Sequence, residues 1–181
     1  MSWKYQWLSG IAAIFLLLSL GIHETLADVN IIIRGTVIEP TCSVTGVDGN
    51  SQTEVDFGNV PLKAVGTVQA QRSLKMKVAC DSAPPTGKTL KMYVRPGSNG
   101  TMAYSGRVVL GTSMTWLGID LADSDNQVVT PLTWVHIAGV DTSAATPTGV
   151  VTLQATLVSA NIAMLKADGF ISSASVMMTY Q

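Results

Sequence analysis

Short apolar runs with a strict period of two constrain this chain more than any other feature. Residues 73–80 put Leu74, Met76, Val78 and Cys80 on one face and Lys75 and Lys77 on the other. The same alternation aligns Leu90, Met92 and Val94, then Leu117, Ile119 and Leu121. It returns with Val151, Leu153, Ala155 and Leu157, and finally with Val176, Met178 and Tyr180. A side-chain period of two is the mark of a β-strand with one buried face. Turn chemistry separates the runs: Asp48-Gly49-Asn50, Pro84-Pro85, Pro96-Gly97 with Asn99-Gly100, residues 123–126, and Thr146-Pro147-Thr148-Gly149. Only residues 159–167 offer a short helical turn or loop. Many short strands joined by polar turns predict an all-β sandwich of the immunoglobulin-like kind. The antibody order of Cys, Trp, Cys is missing, because no Trp lies between Cys42 and Cys80.

The first 27 residues read as an address. Lys4 supplies a positive start, Leu8 to Leu20 is almost unbroken apolar sequence, and Thr25-Leu26-Ala27 offers small residues at the cleavage positions. The apolar core is about 13 residues, against the roughly 20 that span a bilayer. Residues 1–27 are therefore expected to be a secretory signal peptide cleaved after Ala27. The two cysteines then enter an oxidising compartment, where a disulfide is the default state. The formal net charge of -1, from 11 basic and 12 acidic residues, provides no basic field for nucleic acid. At 47% hydrophobic and 13% charged, the chain is also far from disordered composition.

Both ends of the mature sequence are unusual. From residue 28 the chain reads DVNIIIRGTVIEPTCSV, in which Val29, Ile31, Ile33, Gly35 and Val37 share one face. Termini are ordinarily frayed and polar, so an apolar strand at this position needs a partner. The other end, residues 175–181, is a strand that runs to the last residue, with Tyr180 next to it.

These residues resemble the pilin subunits of the chaperone–usher pathway, above all the minor, adaptor-type subunits of type 1-like fimbriae. The resemblance is most specific at the two ends: the segment from Asp28, the Cys42/Cys80 pair, Gly169 upstream of the last strand, and the penultimate Tyr180. There is one departure. The family glycine usually sits fourteenth from the end, and Gly169 is thirteenth. The resemblance implies an incomplete immunoglobulin-like sandwich that lacks its final strand, with a free N-terminal donor strand. Residues 28–38 would be the donor extension and residues 39–181 the pilin domain. A periplasmic chaperone first fills the open groove with a strand parallel to the last strand. The donor strand of a neighbouring pilin subunit then replaces it, antiparallel, at an outer-membrane usher. Antiparallel pairing is the slightly more stable of the two, which agrees with exchange running forward. The product is a cell-surface fimbrium reached through the periplasm, meeting a host or abiotic surface only indirectly.

The donor role has its own physical support. Val29, Ile31, Ile33 and Val37 together bury side chains worth on the order of 6–12 kcal/mol, before ordering and association costs. Gly35, without a Cβ, suits a shallow or crowded part of an acceptor groove. By resemblance, Cys42 and Cys80 bond to each other and join the first two strands. A loop of about 39 residues then gives about 3–4 kcal/mol of loop-entropy stabilisation. Also by resemblance, the row Val176, Met178, Tyr180 and the carboxylate of Gln181 form the chaperone-recognition end, with Gly169 upstream.

Other chemistry is set aside. His136 has no nucleophile motif around it, and G-x-S-x-G, H-E-x-x-H and phosphate loops are all missing from the sequence. No enzyme activity, cofactor or metal is therefore expected. Residues 120–126 (DLADSDN) lack EF-hand spacing and read as an acidic turn. Trp116 and Trp134 are expected in the core or a groove wall rather than stacked on a sugar. The rival reading is a self-contained, secreted immunoglobulin-like module that binds carbohydrate or a surface. A tip adhesin would need an additional lectin domain, for which the length leaves no room.

Overall fold

The computed structural model describes residues 41–181. The expected signal peptide and the donor segment, with Val29, Ile31, Ile33, Gly35 and Val37, lie outside the described residues. Among the described residues, ten strands form two antiparallel sheets. They are β1 (Cys42–Gly46), β2 (Gln71–Cys80), β3 (Leu90–Pro96), β4 (Thr101–Tyr104) and β5 (Arg107–Gly111), followed by β6 (Leu117–Asp123), β7 (Trp134–His136), β8 (Val140–Asp141), β9 (Thr148–Ser159) and β10 (Ala174–Tyr180). The first sheet runs β1-β2-β9-β6-β5-β4, with β8 added beside β9; the second runs β10-β3-β7.

Alternation sets this arrangement. Met76 and Val78 of β2, Leu117, Ile119 and Leu121 of β6, and Val151, Leu153, Ala155 and Leu157 of β9 all point inward from the first sheet. Leu90, Met92 and Val94 of β3 and Met178 and Tyr180 of β10 meet them from the second. Each such side chain contributes about 1.5–3 kcal/mol of burial. The long strands therefore follow the sequence pattern closely, and β10 spans the predicted residues with the predicted face inward.

The shorter elements were not anticipated. β4 and β5 form a tight hairpin around Ser105 and Gly106, both left-handed at φ 48° and 78°. That is the conformation of a type I′ turn, whose twist matches the flanking strands. β8 lies so close to β9 that a side chain on Gly149 would run into the carbonyl of Gly139. The expected helical turn near 159–167 is a single 3-10 turn, Ile162–Met164; two more, Leu62–Ala64 and Val68–Ala70, precede β2.

The acidic segment is structural. Asp120 forms a two-pronged ion pair with Arg107 of the neighbouring strand β5, Nε to Oδ1 at 3.2 Å and Nη2 to Oδ2. The Arg107 guanidinium also lies 5.7 Å from the Tyr104 ring centre. Buried Asp123 accepts the backbone N–H groups of Asp125 and Gln127 on Oδ1, at 2.9 and 2.8 Å, and so closes the turn on itself. Among the described residues no cluster of three or more His, Cys, Asp or Glu is placed to hold a metal.

Candidate interaction groove

The sandwich is open along one seam. β1 is the edge of the first sheet and β10 the edge of the second, and among the described residues each pairs with one strand only. Between them runs a groove of about 1500 Å³. Its floor is the inner face of the sandwich itself, including Met76, Ile119, Leu153 and Leu157. Apolar side chains of the core, themselves almost fully buried, thus form the bottom of the cleft. An edge strand above such a floor offers backbone groups for pairing and apolar surface for burial together.

Two irregular segments flank the groove. Residues 51–62 run along one side without joining a strand, and residues 165–173 descend along the other into β10. Phe57 from the first meets Phe170 from the second, ring centres 5.9 Å apart and tilted by 56°. Arg72 fixes Phe57 by donating from Nη2 to its carbonyl at 2.6 Å, with the guanidinium 5.9 Å from the ring centre. Ser113 and Ile171 hold the second flank through Ser113 N–H to the Ile171 carbonyl, 2.9 Å, and Ile171 N–H to Ser113 Oγ, 3.0 Å. The sequence reading passed over the first flank. Its signal was present in Val55 and Phe57, alternating with Glu54 and Asp56.

The predicted residues divide between groove and core. Val176 lines the groove, whereas Met178 and Tyr180 pack into the core beyond it. Tyr180 Oη donates to the Ser82 carbonyl at 2.8 Å, and burial raises its ionisation above the ordinary tyrosine value, helped by the nearby Asp81 charge. Gln181 extends the β10–β3 ladder through two 2.9 Å backbone bonds with Thr89. Gly169 lies outside β10, in the flank that lines the groove, and a Cβ there would meet nothing within 4 Å. Packing therefore does not demand glycine at that position.

Cys42 and Cys80 are bonded and stand directly opposite each other in the β1–β2 register. The bridge holds the edge strand of the groove against its only partner among the described residues. The two tryptophans depart from expectation. Trp116 and Trp134 are 42% and 37% exposed and belong to neither core nor groove wall.

A two-sheet immunoglobulin-like sandwich with an open seam defines the class of the fold. The fimbrial protein family model matches residues 31–181, and the chain belongs to that family, as a fimbrial subunit of the chaperone–usher kind. It is similar to the minor fimbrial protein PrsF of Escherichia coli, 29% identical over 142 residues, covering 74% of this chain and 79% of the relative. It is also similar to the fimbrial-like protein FimF of Salmonella typhimurium, 29% identical over 92 residues, or 51% of this chain and 46% of that one. Its fold matches the crystal structure of the P pilus rod subunit PapA at TM-score 0.55 and 19% identity, covering 84% of this chain and 100% of that one. A chain from the structure of a chaperone–usher pilus matches at TM-score 0.55 and 16% identity, covering 86% of this chain and 97% of that one.

Proposed function

We propose that this chain is a structural, non-enzymatic subunit of an adhesive fimbria, of minor or adaptor type, that polymerises by donor-strand complementation. Residues 1–27 direct it to the periplasm, where a chaperone occupies the seam between β1 and β10 and delivers the subunit to an outer-membrane usher. There residues 28–38 of a neighbouring subunit take the chaperone's place. This subunit's own residues 28–38 do the same for another neighbour, with Val29, Ile31, Ile33 and Val37 buried and Gly35 passing where space is tight.

One observation carries the reading: the groove floor is the sandwich's own inner face, and among the described residues β10 above it pairs only with β3. A strand added there gains main-chain hydrogen bonds and alternate-side-chain burial together. Val176 and the flank containing Gly169 meet the incoming strand, while Tyr180 and the Gln181 carboxylate mark the chaperone-facing end. The self-contained module has no use for a groove that runs along its own core.

The test is the behaviour of the purified mature chain. Alone it should aggregate or unfold at low temperature, and a donor-strand peptide or the chaperone should convert it to a soluble species with a sharply higher Tm. A chain that stays monomeric and equally stable with and without a donor contradicts the reading.

A further inference from the structure

We propose that the outward face of the second sheet, on the side away from the groove, binds an acidic oligosaccharide. Alternation along β3 turns Lys91, Tyr93 and Arg95 outward, opposite to the core residues Leu90, Met92 and Val94. Strand register then assembles a row across the sheet. Met177 of β10 stands beside Tyr93, and Trp134 of β7 stands on its other side. The Tyr93 and Trp134 rings are 5.0 Å apart and inclined by 45°. Trp134 and Met177 are 37% and 43% exposed, so the row is an apolar plate facing water. His136 neighbours Lys91 in the adjacent row.

The charges around the plate are of one sign. The outward positions of β3, β7 and β10 carry the cations Lys91 and Arg95, with the polar side chains of His136, Ser175 and Thr179 and no acidic residue, in a chain whose acidic residues outnumber its basic ones. Lys91 and Arg95 are four residues apart on one strand, so they stand about 13 Å apart with Tyr93 midway.

This arrangement selects its ligand by chemistry. The electron-rich face of an aromatic ring attracts the weakly positive C–H face of a pyranose. The Arg fork and the Lys ammonium attract carboxylates on the neighbouring sugars. Neutral sugars would leave both cations without partners. A nucleic acid would need a basic field that a net charge of -1 does not supply. An acidic peptide would find the cations but gain little from the exposed ring faces. An oligosaccharide of uronic acid type satisfies both elements.

Calorimetric titration of the mature chain, kept soluble by a bound donor-strand peptide, with hexagalacturonate tests the proposal, with maltohexaose, polyglutamate and an oligothymidylate as comparisons. Hexagalacturonate should bind at least about tenfold more tightly than any of the three, a difference of about 1.4 kcal/mol. Its affinity should fall as salt rises. Trp134→Ala should weaken binding at least about tenfold, Trp134→Tyr should retain most of it, and the double variant Lys91→Ser, Arg95→Ser should lose both affinity and salt dependence. Circular dichroism should show all variants folded, since each change is on the outward face. Absence of hexagalacturonate binding at millimolar concentration overturns the proposal. So does binding unchanged in either the Trp134→Ala or the double variant, or binding of polyglutamate or oligothymidylate as tight as that of hexagalacturonate. None of these outcomes depends on how the groove is filled.

Discussion

Phe57 and Phe170, ring centres 5.9 Å apart, join the two irregular flanks of the groove. Each flank enters a different sheet: residues 51–62 lead toward β2, and residues 165–173 lead into β10. The pair therefore sets how far apart the flanks stand above the floor formed by β2, β6 and β9. Phe57 is buried, so Phe57→Ala should cost about 3 kcal/mol or more, as core Phe truncations do. Phe170 is only half-buried and should cost less. A double-mutant cycle by urea unfolding of the donor-complemented subunit should give a coupling of about 0.5–1.5 kcal/mol. Strict additivity would show that the two flanks are held independently.

Tyr180 makes stability pH-dependent on the alkaline side. Burial, with Asp81 adding, raises its folded-state ionisation above the ordinary value of 10.0. The folded chain thus keeps the phenolic proton more tightly than the unfolded chain does. That contribution is complete below the unfolded value of about 10 and is lost as pH rises toward the folded value. Tyr180→Phe removes the bond to the Ser82 carbonyl, so it should cost about 0.5–1.5 kcal/mol at neutral pH. It should also flatten the alkaline decline in Tm. An equally steep decline in the variant would assign the alkaline sensitivity elsewhere.

The Cys42–Cys80 bond secures β1, the groove's edge strand in the first sheet, to β2. A Cys42→Ser, Cys80→Ser chain should lose about 3–4 kcal/mol of stability and fail to accumulate in the periplasm. Wild-type periplasmic yield from that double variant would contradict a structural role for the bridge at the seam.

The proposed donor residues can be tested separately from the fold that follows them. Ile31→Asp places a charge where the proposal buries a side chain, and Gly35→Arg fills a place reserved for no side chain. Either variant should still accept a donor, with an unchanged melting profile of the complemented subunit, yet fail to complement the next subunit. Normal incorporation of further subunits beyond either variant, seen by electron microscopy and subunit counting, would show that these residues face away from the acceptor.

Legibility in the sequence tracked strand length and the asymmetry of burial. β2, β3, β6, β9 and β10 each bury one face over seven or more residues, so their period of two stands out. β4, β7 and β8 have four, three and two residues, too few for a period to declare itself. The β4–β5 hairpin was hidden because Ser105 occupies a left-handed position that Asn, Asp or Gly usually marks. Trp134 was placed wrongly for a different reason. Residues 134–138 (WVHIA) are apolar on both parities, and the core took Val135 and Ile137, which left Trp134 and His136 outside. The groove itself was legible only through resemblance, because an open seam depends on which strands are edges, and edges are a property of topology rather than of any one segment.

Hydrogen exchange along β10 tests the central claim most directly. In the antiparallel β10–β3 ladder, alternate amides of residues 174–180 point toward the free edge. In the isolated subunit, held dilute and below its melting temperature, those amides should exchange rapidly, while the alternate set bonded to β3 is protected. In the assembled fimbria both sets should be strongly protected, as a strand is added along the edge. Edge amides already protected in the isolated subunit, or still exchanging rapidly in the fibre, would contradict a seam completed by a neighbouring chain.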